Sequence, residues 1–396
     1  MKIRKLNLLM YITSFINVYI TLILFLYKLL KKKISPIVGA IILSVNAYYF
    51  IPFEGSDLYR YYHMFEYDNK ALEVIFKQQN DIYLEYLVYI IKKIGISYNI
   101  IAFISCYIIY YYFFKSFHLV MKNKKIQQKK YLLIFITYFL LIPVTSYHGL
   151  RFYPAIAIFT YGIIYQYYNK NTIKSLLYIL LSVMIHSSLI LPVIIYLLVK
   201  YIFKEKDILN LNIFLYLMLG FGFFLSSGLL VNIIEKMSFI PWNIKKYIYE
   251  YISGAFGDNI LNSKSFIAKI GFYIFYYLRI MIVIVIIKII SKRSTSVYNF
   301  LKIMLIIIGS LVNFSVLNER YLYSIVYIQF LLSTNEYING RVKPRDYNIL
   351  LLLLNLNSVV LFLMFIRTQH FNIIQSYLNI LKYNLTSLLF DLLSTI

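Results

Sequence analysis

Long apolar runs, separated by short lysine-rich breaks, constrain this chain more than any other feature. A helix needs about 20 mostly apolar residues to cross the hydrocarbon core of a bilayer. The runs here are Leu8–Leu30, Ile34–Phe53, Ile96–His118, Tyr131–Tyr147, Arg151–Tyr168, Ser175–Val199, Ile208–Ile234, Phe266–Ile290, Val297–Leu317, Tyr321–Tyr337 and Tyr347–Ile366. Soluble domains are roughly 45–50% apolar, whereas this sequence is 61% hydrophobic with a mean hydropathy of +0.71. The expected class is an all-α, polytopic integral membrane protein with about 11–13 membrane-embedded helices. It is read as one transmembrane domain over 1–396. A membrane β-barrel would instead show short alternating segments.

The net charge of +24 does not point to nucleic acid, because the cations fall where topology signals belong. Lys28 with Lys31–Lys33, Lys122–Lys130, Lys170 with Lys174, Lys200 with Lys204 and Lys206, Lys292 with Arg293, and Arg341 with Lys343 and Arg345 all lie between apolar runs. Such clusters mark cytoplasmic loops. Lys174 and Lys200 are separated by one run only, so both are cytoplasmic if Ser175–Val199 enters and returns as a hairpin. His186, Ser187, Ser188 and Pro192 would form its bend, and this is the preferred reading; the alternative is a single crossing. Irregular backbone at that depth is tolerated where it lines a cavity or is covered by protein.

The N-terminus, Met1–Lys5, leads into Leu8–Leu30 without a small-residue cleavage pattern and is read as a retained first helix. The hairpin leaves Met1–Lys5 outside, against its charge. The outer face then carries loops 54–94 and 235–265, the turns 148–151 and 318–320, and an amphipathic tail, 368–396. Tyr83–Lys93 is amphipathic and suited to the membrane surface. Trp242 and the tyrosines around it suit the interface. Cys106 is the single cysteine, which rules out an intrachain disulfide or a thiolate metal cage.

Ionisable groups at membrane depth are rare and usually mark a substrate path. Arg60, Arg151, Arg279, Arg320 and Arg367 lie outside the cytoplasmic clusters. Arg151 follows the turn Tyr147-His148-Gly149-Leu150; its plain alternative is an anchor that snorkels to headgroups. Arg279 sits mid-run beside Tyr276 and Tyr277, where a structural ion pair with Glu319 would also account for it. Arg320 lies in Asn318-Glu319-Arg320-Tyr321, read as a tight outer turn. Asp57 and Arg60 lie in Gly55-Ser56-Asp57-Leu58-Tyr59-Arg60, where an ordinary solvated loop is the competing reading. Guanidinium groups pair bidentately with phosphate and stay charged. Arg151, Arg279 and Arg320 are therefore candidate ligands for a lipid diphosphate, with Arg60, Tyr59, Glu319 and Tyr321 as further substrate-binding candidates. His186 and Asp57 are candidate bases, His186 being preferred; a buried histidine bonded to backbone is the alternative. The histidines show no metal-binding spacing, and no GxGxxG, Walker A or GxSxG pattern is present. No cofactor and no metal are expected.

At Gly55-Ser56-Asp57 with Tyr59 and Tyr61, at Arg151 opening a run, at Ile185-His186-Ser187-Ser188, and at Arg320-Tyr321, the chain resembles the EpsG-like, Wzy-type polysaccharide polymerases of bacteria. The order and spacing match from about Gly55 to Tyr323. Phe152-Tyr153 departs from the more polar residue many members carry, which leaves the role of the position after Arg151 open. The resemblance implies a GT-C-like membrane glycosyltransferase, multi-pass in the bacterial cytoplasmic membrane. It implies a reaction joining undecaprenyl-diphosphate-linked oligosaccharide units at the outer face, with a flippase and a chain-length regulator as partners. An O-antigen-ligase-like enzyme, a lipid-linked oligosaccharide flippase, a membrane acyltransferase and a non-catalytic scaffold are the rival readings. The charge pattern makes a direct prediction. Reporter fusions after Lys130 and after Lys343 will read cytoplasmic, and a fusion within 54–94 will read external.

Overall fold

The computed structural model describes residues 24–29, 35–50, 57–67, 82–122, 124–142, 149–203, 266–290, 295–310 and 315–360, with a few isolated positions besides. The run Ile208–Ile234, most of Leu8–Leu30 and of loop 235–265, Gly55, Ser56, His148 and the tail 368–396 fall outside the described residues. Regular structure within them is helical throughout. The helices are α1 Pro36–Tyr48, α2 Asp57–Tyr67, α3 Ile82–Ile94, α4 Asn99–Met121, α5 Gln128–Leu140, α6 Phe152–Asn169, α7 Thr172–Ile185, α8 Ile190–Leu198, α9 Phe266–Ile290, α10 Ser296–Ser310, α11 Ser315–Ile338 and α12 344–360. Among the described residues, α4 is both long and apolar enough to cross a membrane; Pro36–Tyr48, Thr172–Ile185, Ser187–Ile202 and Ser296–Ser310 are apolar but shorter.

The chain divides into two compact units, Met1–Ile190 with Leu361–Ile396, and Leu191–Val360. The first is built on α4. Helix α1 approaches it closely because Gly39 offers no side chain: a Cβ there would stand 2.6 Å from the Phe114 ring. On another side α4 packs against α6, and α6 against α7. The α6–α7 approach rests on Gly162, where a Cβ would meet Ile179 Cγ1 at 3.0 Å and Tyr178 Cβ at 3.1 Å. Ser175 Oγ donates to the Gly162 carbonyl at 2.9 Å across the same contact. Small residues that let backbones touch are the usual device where lipid supplies no hydrophobic drive between helices.

Helix α5 meets α4 differently, through large rings. Phe114 stacks with Phe135 at 6.0 Å, Phe117 meets Tyr131 at 5.8 Å and Tyr138 at 5.4 Å, and the Tyr138 hydroxyl donates to the Phe113 carbonyl at 3.3 Å. Several hydroxyls within the helices are satisfied locally, whereas Ser105, Thr160 and Ser333 are buried without a hydrogen-bond partner among the described residues. Ser44, Ser116, Thr137 and Ser358 donate to carbonyls four residues earlier on their own helices. That geometry satisfies each of these donors without a partner on another helix.

The turn from α6 to α7 is short. Lys170 takes a left-handed conformation, φ 54°, and Asn171 caps α7 by accepting from the Lys174 N–H at 3.1 Å. The run Ser175–Val199 is broken at His186, where the expected bend lies. Helix α7 stops there, a 3-10 turn follows over Ser187–Leu189, and α8 then runs into a π-helical stretch, Val199–Phe203.

In the second unit α10 contacts α9, α11 and the π-helical stretch. Tyr196 packs edge-on against Phe300 at 5.5 Å. Lys288 pairs with Asp346 at 2.7 Å, both within the predicted cytoplasmic zone. Helix α11 ends on Gly340, φ 72°, with the Arg341 N–H reaching back to the Glu336 carbonyl at 2.9 Å, as glycine-terminated helices commonly do. The sequence places a turn at Asn318–Arg320; instead α11 starts at Ser315 and carries all three residues in its first two turns. The misplacement has a local cause: Ser315-Val316-Leu317-Asn318 contains no glycine or proline to stop a helix, so charge alone suggested a break.

These contacts carry a stability prediction. Gly162→Val will drive a branched side chain into Ile179 and Tyr178 and lower stability in detergent by about 1–3 kcal/mol. Asn171→Ala, which removes a cap, will cost about 1 kcal/mol. Thermal unfolding of the purified variants measures both, and a Gly162→Val variant as stable as the parent would refute the close α6–α7 approach.

Candidate active site

Helix α2 is clamped over the start of α4. The Tyr98 hydroxyl donates to the Leu58 carbonyl at 3.0 Å, and the Tyr98 ring meets Tyr62 at 5.4 Å and Phe65 at 5.5 Å. From α3, Lys92 donates to the Phe65 carbonyl at 2.7 Å. This anchoring fixes the face of α2 that carries Tyr61. The Tyr61 ring is buried and lies under the Arg151 guanidinium, 5.2 Å from the centroid. Arg151 itself is half-buried and caps α6 at its start, its carbonyl accepting from the Ala155 N–H at 3.1 Å. A cation over a ring face gains roughly 0.5–2 kcal/mol, more as water is excluded.

Phe152, next in sequence, turns its ring edge-on to the His186 ring at 5.5 Å. So the opening of α6 sets Arg151 over Tyr61 and the next residue, Phe152, against His186. Gly149 takes part: a Cβ there would lie 2.5 Å from the Tyr153 ring. His186 is in extended conformation between α7 and the 3-10 turn, and its Nδ1 accepts from the Ser188 N–H at 3.1 Å. With Nδ1 engaged as an acceptor, the neutral ring carries its proton on Nε2. A histidine in that tautomer presents a donor at Nε2, and it can accept a proton at Nδ1 only by giving up Ser188. Ser188 Oγ is buried with no hydrogen-bond partner among the described residues.

The other candidates divide between the units. Asp57 opens α2, and Arg60 and Tyr59 follow in its first turns; Tyr59 packs edge-on against His63 at 4.4 Å. Positions 57 and 61 are four apart and share a helix face, so Asp57 starts the same face that carries Tyr61. Arg279, Glu319, Arg320 and Tyr321 belong to the second unit. Arg279 is 6% exposed in α9, and Arg320 and Tyr321 are half-buried near the start of α11. Among the described residues no set of three His, Cys, Asp or Glu side chains could hold a metal ion. Sequence reasoning passed over the ring of Tyr61, the ring of Phe152 and the Ser188 hydroxyl as site groups. Tyr61 and Ser188 stand in the quoted motifs, but nothing in a linear pattern says which tyrosine lies under Arg151.

Among the described residues the site is built on helices alone, with Arg151 over Tyr61 and Phe152 against His186. The EpsG family model matches residues 53–385, a span that includes every candidate from Asp57 to Tyr321. This chain belongs to the EpsG family, the polysaccharide polymerases its motifs resemble. No curated protein and no solved structure matches it.

The Arg151–Tyr61 contact predicts a graded response. Tyr61→Phe keeps the ring face and will keep most polymer synthesis, whereas Tyr61→Leu will lower it about two- to tenfold, the loss of roughly 0.5–1.4 kcal/mol of cation–π interaction. Quantified polymer per unit of membrane-inserted protein measures the difference.

Proposed function

We propose that this protein polymerises lipid-diphosphate-linked oligosaccharide units, of the undecaprenyl type, into a surface polysaccharide at the outer face of the bacterial cytoplasmic membrane. The observation that carries the reading is Arg151, held over Tyr61 and next to the Phe152–His186 pair within the span the EpsG model covers. In glycosyl transfer from a lipid diphosphate, the bond between the anomeric carbon and the phosphate oxygen breaks and its electrons stay on the diphosphate. A hydroxyl of the second unit forms the new bond to the anomeric carbon and gives up its proton. Two tasks remain for the protein: to neutralise the departing diphosphate and to take that proton.

Arg151 suits the first task. Its charge is permanent and is preorganised by the ring beneath it, so little rearrangement is needed as negative charge develops. His186, as a donor at Nε2, assists the same anion, and the Ser188 hydroxyl is within two residues for a further hydrogen bond. Asp57 suits the second task, since it begins the α2 face that carries Tyr61, the ring beneath Arg151. Assigning the base to Asp57 follows from Nδ1 of His186 being occupied. Within the second unit, Arg279 and Arg320 are proposed to bind anionic groups of the lipid-linked substrate, Arg320 with Tyr321 and Glu319 beside it in sequence.

A deletion strain complemented with Arg151→Ala tests the reading. The expected result is no polymer, with single lipid-linked units collecting on the outer leaflet and normal protein in the membrane. Normal polymer length would overturn the assignment, and units held on the inner leaflet would indicate a flippase. His186→Gln, which keeps a side-chain N–H donor, will retain more activity than His186→Ala. Equal loss in both would return the base role to His186.

A further inference from the structure

Lys115 lies on α4 at the centre of a cluster of tyrosines drawn from three helices. Its Nζ donates to the Tyr111 hydroxyl at 3.0 Å and lies 4.9 Å from the Tyr111 ring centroid, 4.8 Å from that of Tyr161 and 5.9 Å from that of Tyr112. Tyr178 of α7 closes the group, 5.0 Å from Tyr161 and 5.9 Å from Tyr112, and Tyr165 of α6 flanks it at 6.1 Å from Tyr178. The charged neighbourhood of Lys115 consists of tyrosine hydroxyls; among the described residues no carboxylate faces it. A cation set into an apolar bundle is stabilised by an anion, and none stands there among the described residues. Tyr161 is 3% exposed, whereas Lys115, Tyr112 and Tyr178 are half-buried and reachable from outside.

We propose that Lys115 and the hydroxyls of Tyr111, Tyr112 and Tyr178 form a binding site for the phosphate of an anionic phospholipid in the cytoplasmic leaflet. The depth follows from the basic clusters that set the topology. Lys115 is seven residues before Lys122, and Tyr178 is four after Lys174, which puts the cluster about 6–10 Å inside the lysine rows at 1.5 Å per residue. That is the level of lipid headgroups and glycerol. A lipid is favoured over a soluble anion because the site continues into an apolar face. Ile173, Leu177, Leu180, Leu181 and Met184 of α7 are all exposed and stand at helical spacing on either side of Tyr178. Acyl chains would lie along that face while the phosphate meets Lys115. The site is separate from the Arg151–His186 region and serves the protein's lipid environment, not glycosyl transfer.

Native mass spectrometry of the full chain, released from nanodiscs of mixed phosphatidylglycerol and phosphatidylcholine, tests this. Wild type will retain phosphatidylglycerol selectively. Lys115→Gln will retain it about tenfold less, as expected for the loss of a charge-assisted hydrogen bond, and Lys115→Arg will retain it. The double variant Tyr112→Phe, Tyr178→Phe leaves the packing rings in place and removes hydroxyls; it will show an intermediate loss, which covers the case of a poorly folded Lys115→Gln. Equal retention by wild type and both site variants overturns the proposal. Displacement of the bound lipid by millimolar inorganic phosphate would also overturn it, in favour of a soluble anion.

Discussion

Everything in this molecule depends on one constraint: in an apolar medium a polar group must find its partner within the protein. The backbone meets it by staying helical, since helices bond all but their ends internally. Ser44, Ser116 and Thr137 meet it by bonding back to their own helices. Charged side chains cannot be satisfied so locally. They are placed against rings, as Arg151 and Lys115 are, or paired with a carboxylate, as Lys288 is with Asp346.

Packing in the first unit uses two different solutions around one helix. Toward α1, α4 lodges the Phe114 ring against Gly39, and the neighbouring α6–α7 contact closes on Gly162. Toward α5 it presents Phe113, Phe114 and Phe117, which interleave with Tyr131, Phe135 and Tyr138. Close contact through glycine fixes the spacing of α6 and α7, and with it the position of the turn at His186.

The break in the run after α7 has a functional consequence. A continuous helix through His186 would bond its backbone normally and leave the imidazole on one face. Breaking it frees the Ser188 N–H, which then fixes the ring through Nδ1. The same break sets the ring against Phe152, the residue that follows Arg151 in sequence. A polar turn inside an apolar run converts a costly irregularity into an oriented donor.

The sequence by itself determined the helical class, because hydropathy and the spacing of lysines are one-dimensional signals. It located α4, α6 and α9 to within a few residues, and it marked His186 as a break. Its motif order was sufficient for the family, since the EpsG match spans the same residues. It misread Asn318–Arg320 as a turn, because charge in an apolar run resembles a loop until the helix propensity of its neighbours is weighed. Only the tertiary structure decided that Tyr61, not Tyr59, underlies Arg151, that Phe152 joins the arginine to the histidine, and that His186 is held through Nδ1. It alone gathered Lys115 with tyrosines from three helices. Those pairings join residues far apart in sequence, and their partners are chosen by helix spacing and rotation, which side-chain volume at Gly39 and Gly162 sets and no linear pattern records.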